Sequence, residues 1–200
     1  MSTPSTRRER KRQAAHDEIV ATAAALFARD GFSAVTMEQI AAAADVAKAT
    51  LYSHFPTRDA IAAAMVRADI AASEPEMLGL ITAPGTTASR LEQLFDSSVR
   101  WIERNTGLFP AYLRHRFSQM ATPDGDRRRS GFGIILTKVL EHGQDNGEIR
   151  SDISAEALSE NLQMLFLGVT MRCLTDPDPA ALRSDFNRIL TLFLHGAAPR

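Results

Sequence analysis

The chain has 200 residues, 44% hydrophobic and 24% charged, with a formal net charge of −1. That is enough apolar material for a packed core in one domain or two small ones, and it excludes a disordered chain. The one cysteine, Cys173, excludes an internal disulfide and a cysteine-based zinc finger; it reads as a small apolar residue in a buried helix. The longest apolar runs, such as residues 164–169, fall far short of the roughly 20 residues of a membrane span. The basic start MSTPSTRRERKRQ has no apolar stretch behind it, unlike a secretory signal. A cytoplasmic protein with no membrane partner is expected.

In chain order, residues 1–12 read as a basic flexible arm, with Arg7, Arg8, Arg10, Lys11 and Arg12 set against Glu9. Charge is unevenly spread. Residues 1–58 hold eight Lys and Arg against six Asp and Glu, and the remainder holds fifteen against eighteen. A basic arm beside a DNA-reading element can follow phosphates or enter the adjacent minor groove.

Residues 36–59, TMEQIAAAADVAKATLYSHFPTRD, read as two short helices around a tight turn, closed by a Phe-Pro stop. Thr36 and Gln39 have the spacing of a capping box. Ile40 and the alanines at 41–44 continue a helix whose small side chains let a second helix pack closely. Asp45 suits the turn and Val46 plugs the corner. A second helix from Ala47 or Lys48 carries Leu51 and Phe55 four residues apart, so both point inward. Lys48, Thr50, Tyr52 and His54 are left facing out, the polar set a major-groove helix needs for phosphates and base edges. Pro56 stops this helix, and Thr57 can cap the next, with Arg58 at its start.

This segment resembles the TetR family of bacterial transcription regulators, through Thr36, Ile40, Ala41, Thr50, Leu51, Tyr52, His54 and Phe55, followed by Arg58 and Asp59. Ile19, Ala23, Leu26, Phe27, Gly31 and Phe32 resemble the family's first helix and its glycine exit. The resemblance implies an all-α fold: a helix-turn-helix DNA-binding domain over residues 13–58 and a helical effector-binding and dimerisation domain over 59–200. It also implies that Thr36, Lys48, Thr50, Tyr52, His54 and Arg58 face double-stranded operator DNA. Two positions depart from the family pattern. Ala47 stands where a capping Ser or Thr is usual, a loss of about 1 kcal/mol, and Asp45 replaces the usual turn glycine.

Beyond residue 57 every segment reads as helix: 57–73, interrupted by Pro75 and again at 83–85; 87–105; 108–120; 126–146 after a loop at 121–125; 155–174; and a last helix after Asp178 and Pro179. Nothing alternates with period two. By analogy with the family, residues 60–175 enclose a pocket for a small, largely apolar effector of unknown identity. Its candidate lining is Phe95, Trp101, Leu108, Phe109, Tyr112, Phe132, Ile135, Met164, Phe166 and Met171. Arg114, His115 and Arg116 could meet an anionic group, although a solvated polar face is the first reading. The last two helices resemble the family's dimer interface, with Leu158, Leu162, Leu165, Val169, Leu182, Phe186, Ile189 and Phe193 as candidate contacts between two copies.

An enzyme or metalloprotein is disfavoured. The histidines at 16, 54, 115, 142 and 195 are scattered, with no His-Glu-x-x-His, and Gly131-Phe132-Gly133 lacks the third glycine of a dinucleotide loop. Neither catalytic residues nor a cofactor or metal is expected. The reading is a ligand-responsive repressor that binds a palindromic operator as a homodimer. The alternative is a helical binding protein that keeps the helix-turn-helix as scaffold only. Deleting residues 1–12 is expected to weaken operator binding and flatten its dependence on salt, measured as the slope of log affinity against log salt; an unchanged slope removes these residues from the DNA interface.

Overall fold

A computed structural model of the chain describes residues 6–120, 131–174 and 178–197. Among them there are nine α-helices and no strand: α1 Arg7–Asp30, α2 Met37–Ala43, α3 Lys48–His54, α4 Arg58–Thr82, α5 Thr87–Arg104, α6 Phe109–Met120, α7 Gly131–Asp145, α8 Ala155–Thr170 and α9 Pro179–Ala197. A short 3-10 turn, Met171–Leu174, follows α8. The boundaries are set by local chemistry. Thr36, Thr57, Thr86 and Ser154 each accept a hydrogen bond from the backbone N–H three residues on, capping α2, α4, α5 and α8. Asp178 accepts from Ala180 N at 2.9 Å at the start of α9. Gly147, at φ +71°, takes the left-handed conformation beyond α7.

Three of these helices differ from the sequence-based expectation. Residues 7–12 are helical rather than a flexible arm: Thr6 and Glu9 form a reciprocal capping box, which starts α1 at Arg7. α4 runs through Pro75 to Thr82. Pro75 is exposed, so its ring meets no neighbouring helix and the local loss is the bond it cannot donate to Ala71. α8 ends at Thr170 and tightens into the 3-10 turn. The loop expected at 121–125 and the start of the helix expected from 126 lie outside the described residues, as does the Cys173 side chain.

Packing makes three connected apolar clusters. The first joins Ile19, Ala23 and Phe27 of α1, Ile40 of α2, Leu51 of α3, Phe55, and Ile61 and Ala62 of α4. Leu108 and Ala111, at the start of α6, are buried in it too, so this core crosses the boundary expected at residue 58. The second gathers α5, α7, α8 and α9 around Leu94, Phe95, Leu136 and Leu162. The third joins Val99, Phe109, Leu113, Leu182 and Phe186. α4 packs chiefly against α6 and α7, and α5 against α9 and α7, while α4 and α5 scarcely touch. The gap between those two helices is where a cavity opens. Leu51 has no solvent exposure; Leu51→Ala should lower stability by about 2–5 kcal/mol, read as the shift in the chemical denaturation midpoint.

Candidate DNA-reading surface and effector pocket

The reading surface is built from α2 and α3. Thr36 N donates to Gln39 Oε1 at 2.7 Å and Gln39 N to Thr36 Oγ1 at 3.2 Å, the capping box its spacing suggested. Asp45 takes φ +50°, a conformation that Asp tolerates better than most residues. Val46 N then donates to Ala41 O at 3.0 Å, closing the turn. α3 begins at Ala47 with no side-chain cap. Leu51 and Phe55 are buried, while Lys48, Thr50 and Ser53 are exposed, and Tyr52 is 45% exposed. Lys48 Nζ lies 3.6 Å from Glu38 Oε1, which brings the first turns of α2 and α3 side by side. Both side chains are in solvent, so this pair holds Lys48 only weakly. Thr36, Lys48, Thr50 and Tyr52 are thus all available on the surface.

His54 and Arg58 are placed otherwise than expected. His54 is half-buried against α1, with its ring centroid 6.3 Å from those of His16 and Phe55. Burial first, then Arg12 and His16, holds its pKa below the ordinary histidine value. Arg12 of α1 therefore lies close to the end of α3. Arg58 turns inward: its Nη1 donates to Phe32 O at 3.0 Å, to Ser33 O at 3.1 Å and also to Val35 O, and its guanidinium stacks over the Phe32 ring at 5.2 Å. It pins the α1–α2 connection to the first turn of α4. Neither role is visible in a helix considered alone, because both depend on a neighbour distant in sequence. The basic residues Arg7, Arg8, Arg10, Lys11 and Arg12 are all exposed on the first turns of α1.

The cavity measures about 370 Å³ and is enclosed by α4, α5, α6, α7 and α8. Of the expected lining, Trp101, Phe109, Tyr112, Phe132 and Phe166 are present. Phe166 stacks on Phe186 at 4.6 Å and meets Phe132 at 5.0 Å. Phe95, Leu108 and Ile135 do not line it; they are buried in the cores behind. Met164 and Met171 are 57% and 48% exposed and are not among the lining residues. α4 contributes Val66, Asp69, Ile70, Ser73, Glu76, Met77 and Leu80. Glu76, Met77 and Leu80 lie beyond Pro75, where the helix was expected to break, and for Val66, Asp69, Ile70 and Ser73 the expected helix carried no sign of which face meets the cavity. Asp69 accepts from Trp101 Nε1 at 2.9 Å across the gap. The exposed Asp69, Glu76, Arg100 and Arg104 form a charged rim, and Arg116 adds a further cation from α6.

Of the other polar residues on α6, Arg114 donates to both carboxylate oxygens of Asp59, at 2.8 and 3.0 Å, linking α6 to the first turn of α4. Burial, with help from Arg67, holds the His115 pKa below its usual value.

The expected dimer contacts divide into two sets. Leu158, Leu162, Leu182, Phe186 and Phe193 are buried within one chain, and Val169 and Ile189 are half-buried against its third cluster. Leu165 is 42% exposed, on the same outer side as Met164 and Met171, and Leu192 of α9 is 65% exposed. α8 is apolar on several sides, so its pattern could not reveal which stripe the chain covers itself. The outward stripe is Met164, Leu165, Gly168 and Met171.

No group of His, Cys, Asp and Glu among the described residues could hold a metal ion, and no described helix is long and apolar enough to cross a membrane. Arg58→Met should cost about 1–3 kcal/mol of folding stability in chemical denaturation and leave the salt slope of DNA binding unchanged; a slope reduced by about one would make Arg58 a phosphate contact instead.

Residues 19–65 match the family model described as bacterial regulatory proteins, tetR family. The HTH-type transcriptional repressor KstR2 of Mycolicibacterium smegmatis is 25% identical over 157 residues, covering 70% of each protein. Among solved structures, Thermus thermophilus FadR in complex with lauroyl-CoA is similar with a TM-score of 0.75 and 24% identity, covering 92% of this chain and 96% of that one. FadR from Bacillus subtilis in complex with stearoyl-CoA has a TM-score of 0.63 and 17% identity, covering 90% and 98%. These two share the fold. The helix-turn-helix of this chain lies inside the segment that matches the tetR family model, and the chain as a whole shares the all-helical fold of these regulators.

Proposed function

We propose that the protein is a repressor that occupies a palindromic operator as a homodimer and leaves it when an amphiphile with a long apolar chain and an anionic head enters the cavity. The observation that carries this reading is α4. One helix begins just after α3, is pinned through Arg58 to the α1–α2 connection, and forms a wall of the cavity from Val66 to Leu80. A ligand changes DNA affinity only through a difference in its own affinity for two states, and α4 gives both sites a shared element to bias. The aromatic wall suits an alkyl chain, and Arg100, Arg104 and Arg116 suit an anionic head. The acyl-CoA complexes of the two FadR proteins support the same class.

Lys48, Thr50 and Tyr52 are the residues assigned to the major groove, with Thr36 and the first turns of α1 on flanking phosphates. Their exposure without a packing role disfavours the scaffold-only alternative. Two copies are assigned to meet through the outward stripe of α8 and Leu192 of α9, which would set two α3 helices at one half-site spacing. The cytoplasm is the assigned compartment.

The test is a selection of bound sequences from random DNA, followed by titration of the selected duplex. Lys48→Ala should weaken binding and reduce the salt slope by about one, Tyr52→Ala should cost about 1–3 kcal/mol with relaxed base preference, and lauroyl-CoA should release the wild-type protein. Binding that is indifferent to both substitutions removes the DNA assignment; DNA retained at saturating lauroyl-CoA removes the effector class.

A further inference from the structure

Gln163 is a polar residue of α8 that lines the cavity, and its amide is already half committed. Gln163 Nε2 donates to Ser159 O and to Ser159 Oγ, each at 3.2 Å. A backbone carbonyl can only accept, so this contact fixes which end of the amide is nitrogen. Ser159 is itself buried and donates to Gly133 O at 3.2 Å. Gly133 makes the arrangement possible: a Cβ at that position would lie 2.6 Å from Gln163 Oε1, inside contact distance. The amide is therefore clamped, and Oε1 has no hydrogen-bond partner among the described residues.

Two hydroxyls of the same cavity are also committed as donors. Ser98 donates to Leu94 O at 2.9 Å and Thr170 to Leu167 O at 2.9 Å, and both line the cavity. Their hydrogens are spent on helix carbonyls, which leaves lone pairs for anything beside them. Other donors of the cavity belong to Arg104 and Arg116 and to Tyr112 of the α6 wall, while Arg100 already donates to Asp96 and to Ser97 Oγ.

We propose that the effector carries a hydrogen-bond donor, a hydroxyl or an N–H, on its buried part, and that Gln163 Oε1 reads it. This rests on the effector-pocket reading above. A bare alkyl chain in that place would strip water from Oε1 and return nothing, whereas a carbonyl or carboxylate would set two acceptors against each other. Gln163 therefore selects among chains of equal length by their substitution.

Trp101 is the one tryptophan of the sequence and lines the cavity, so its emission reports filling. Lauroyl-CoA is titrated against its monohydroxylated counterparts, with the hydroxyl near the thioester, at mid-chain or at the chain end. In the wild-type protein at least one of these should bind about tenfold tighter than lauroyl-CoA. In Gln163→Met, which keeps the length and removes the acceptor, that preference should vanish and lauroyl-CoA should bind more tightly than before. If no hydroxylated chain outbinds lauroyl-CoA in the wild type, or if the preference survives in Gln163→Met, the inference is overturned while the pocket stands. If no thioester perturbs Trp101 and none is seen by calorimetry, the pocket reading fails and this inference with it. The wild-type series decides the matter even should the variant not fold.

Discussion

The first turn of α4 is gripped from both sides. Arg58 reaches back to three backbone carbonyls of the α1–α2 connection, and Asp59, the next residue, is held by both donors of Arg114 on α6. Two adjacent residues thus tie the reading head to one side of the helix and the effector-binding half to the other. Carbonyl oxygens at 32, 33 and 35 would otherwise face a turn with no helix to satisfy them, so Arg58 serves both local satisfaction and long-range attachment. The Arg114–Asp59 pair is partly exposed and adds little to folding stability; its value is geometric, because a bidentate fork fixes orientation as well as distance.

The same helix sets the limits of what the sequence alone could reveal. The helix-turn-helix was legible because its rules are local: a capping pair at Thr36 and Gln39, a turn residue at Asp45, two inward residues four apart, and a proline stop. The fold class was legible for the same reason. Roles that depend on contacts far along the chain were not. Arg58 and His54 sit at positions that face outward on an isolated helix, yet the first is taken up by residues 32–35 and the second by α1. In the pocket, aromatic residues identified the wall, but Met164 and Met171, equally suited to it, lie outside, and Pro75 hid the part of the α4 wall from Glu76 to Leu80 because an exposed proline can remain within a helix when its ring meets no neighbour.

The division of the apolar residues on α8 follows a related logic. Leu158, Leu162 and Leu167 are consumed by the chain's own core, and what is left outward is two methionines, a leucine and a glycine. Unbranched thioether side chains adapt their shape to an opposing surface at small cost, and a glycine beside them lets backbones approach. The inner stripe is rigid and branched; the outer one is adaptable.

α2 and α3 are seven residues each, well below the length at which a helix holds together in water without help, and α3 lacks a side-chain cap. Neither is a structure in its own right; each persists only while Ile40, Leu51 and Phe55 are seated against α1 and α4. The surface assigned to DNA is therefore cooperative by construction. It has no stable half-formed version, so loosening α1 or α4 would abolish recognition as a whole instead of blurring it base by base.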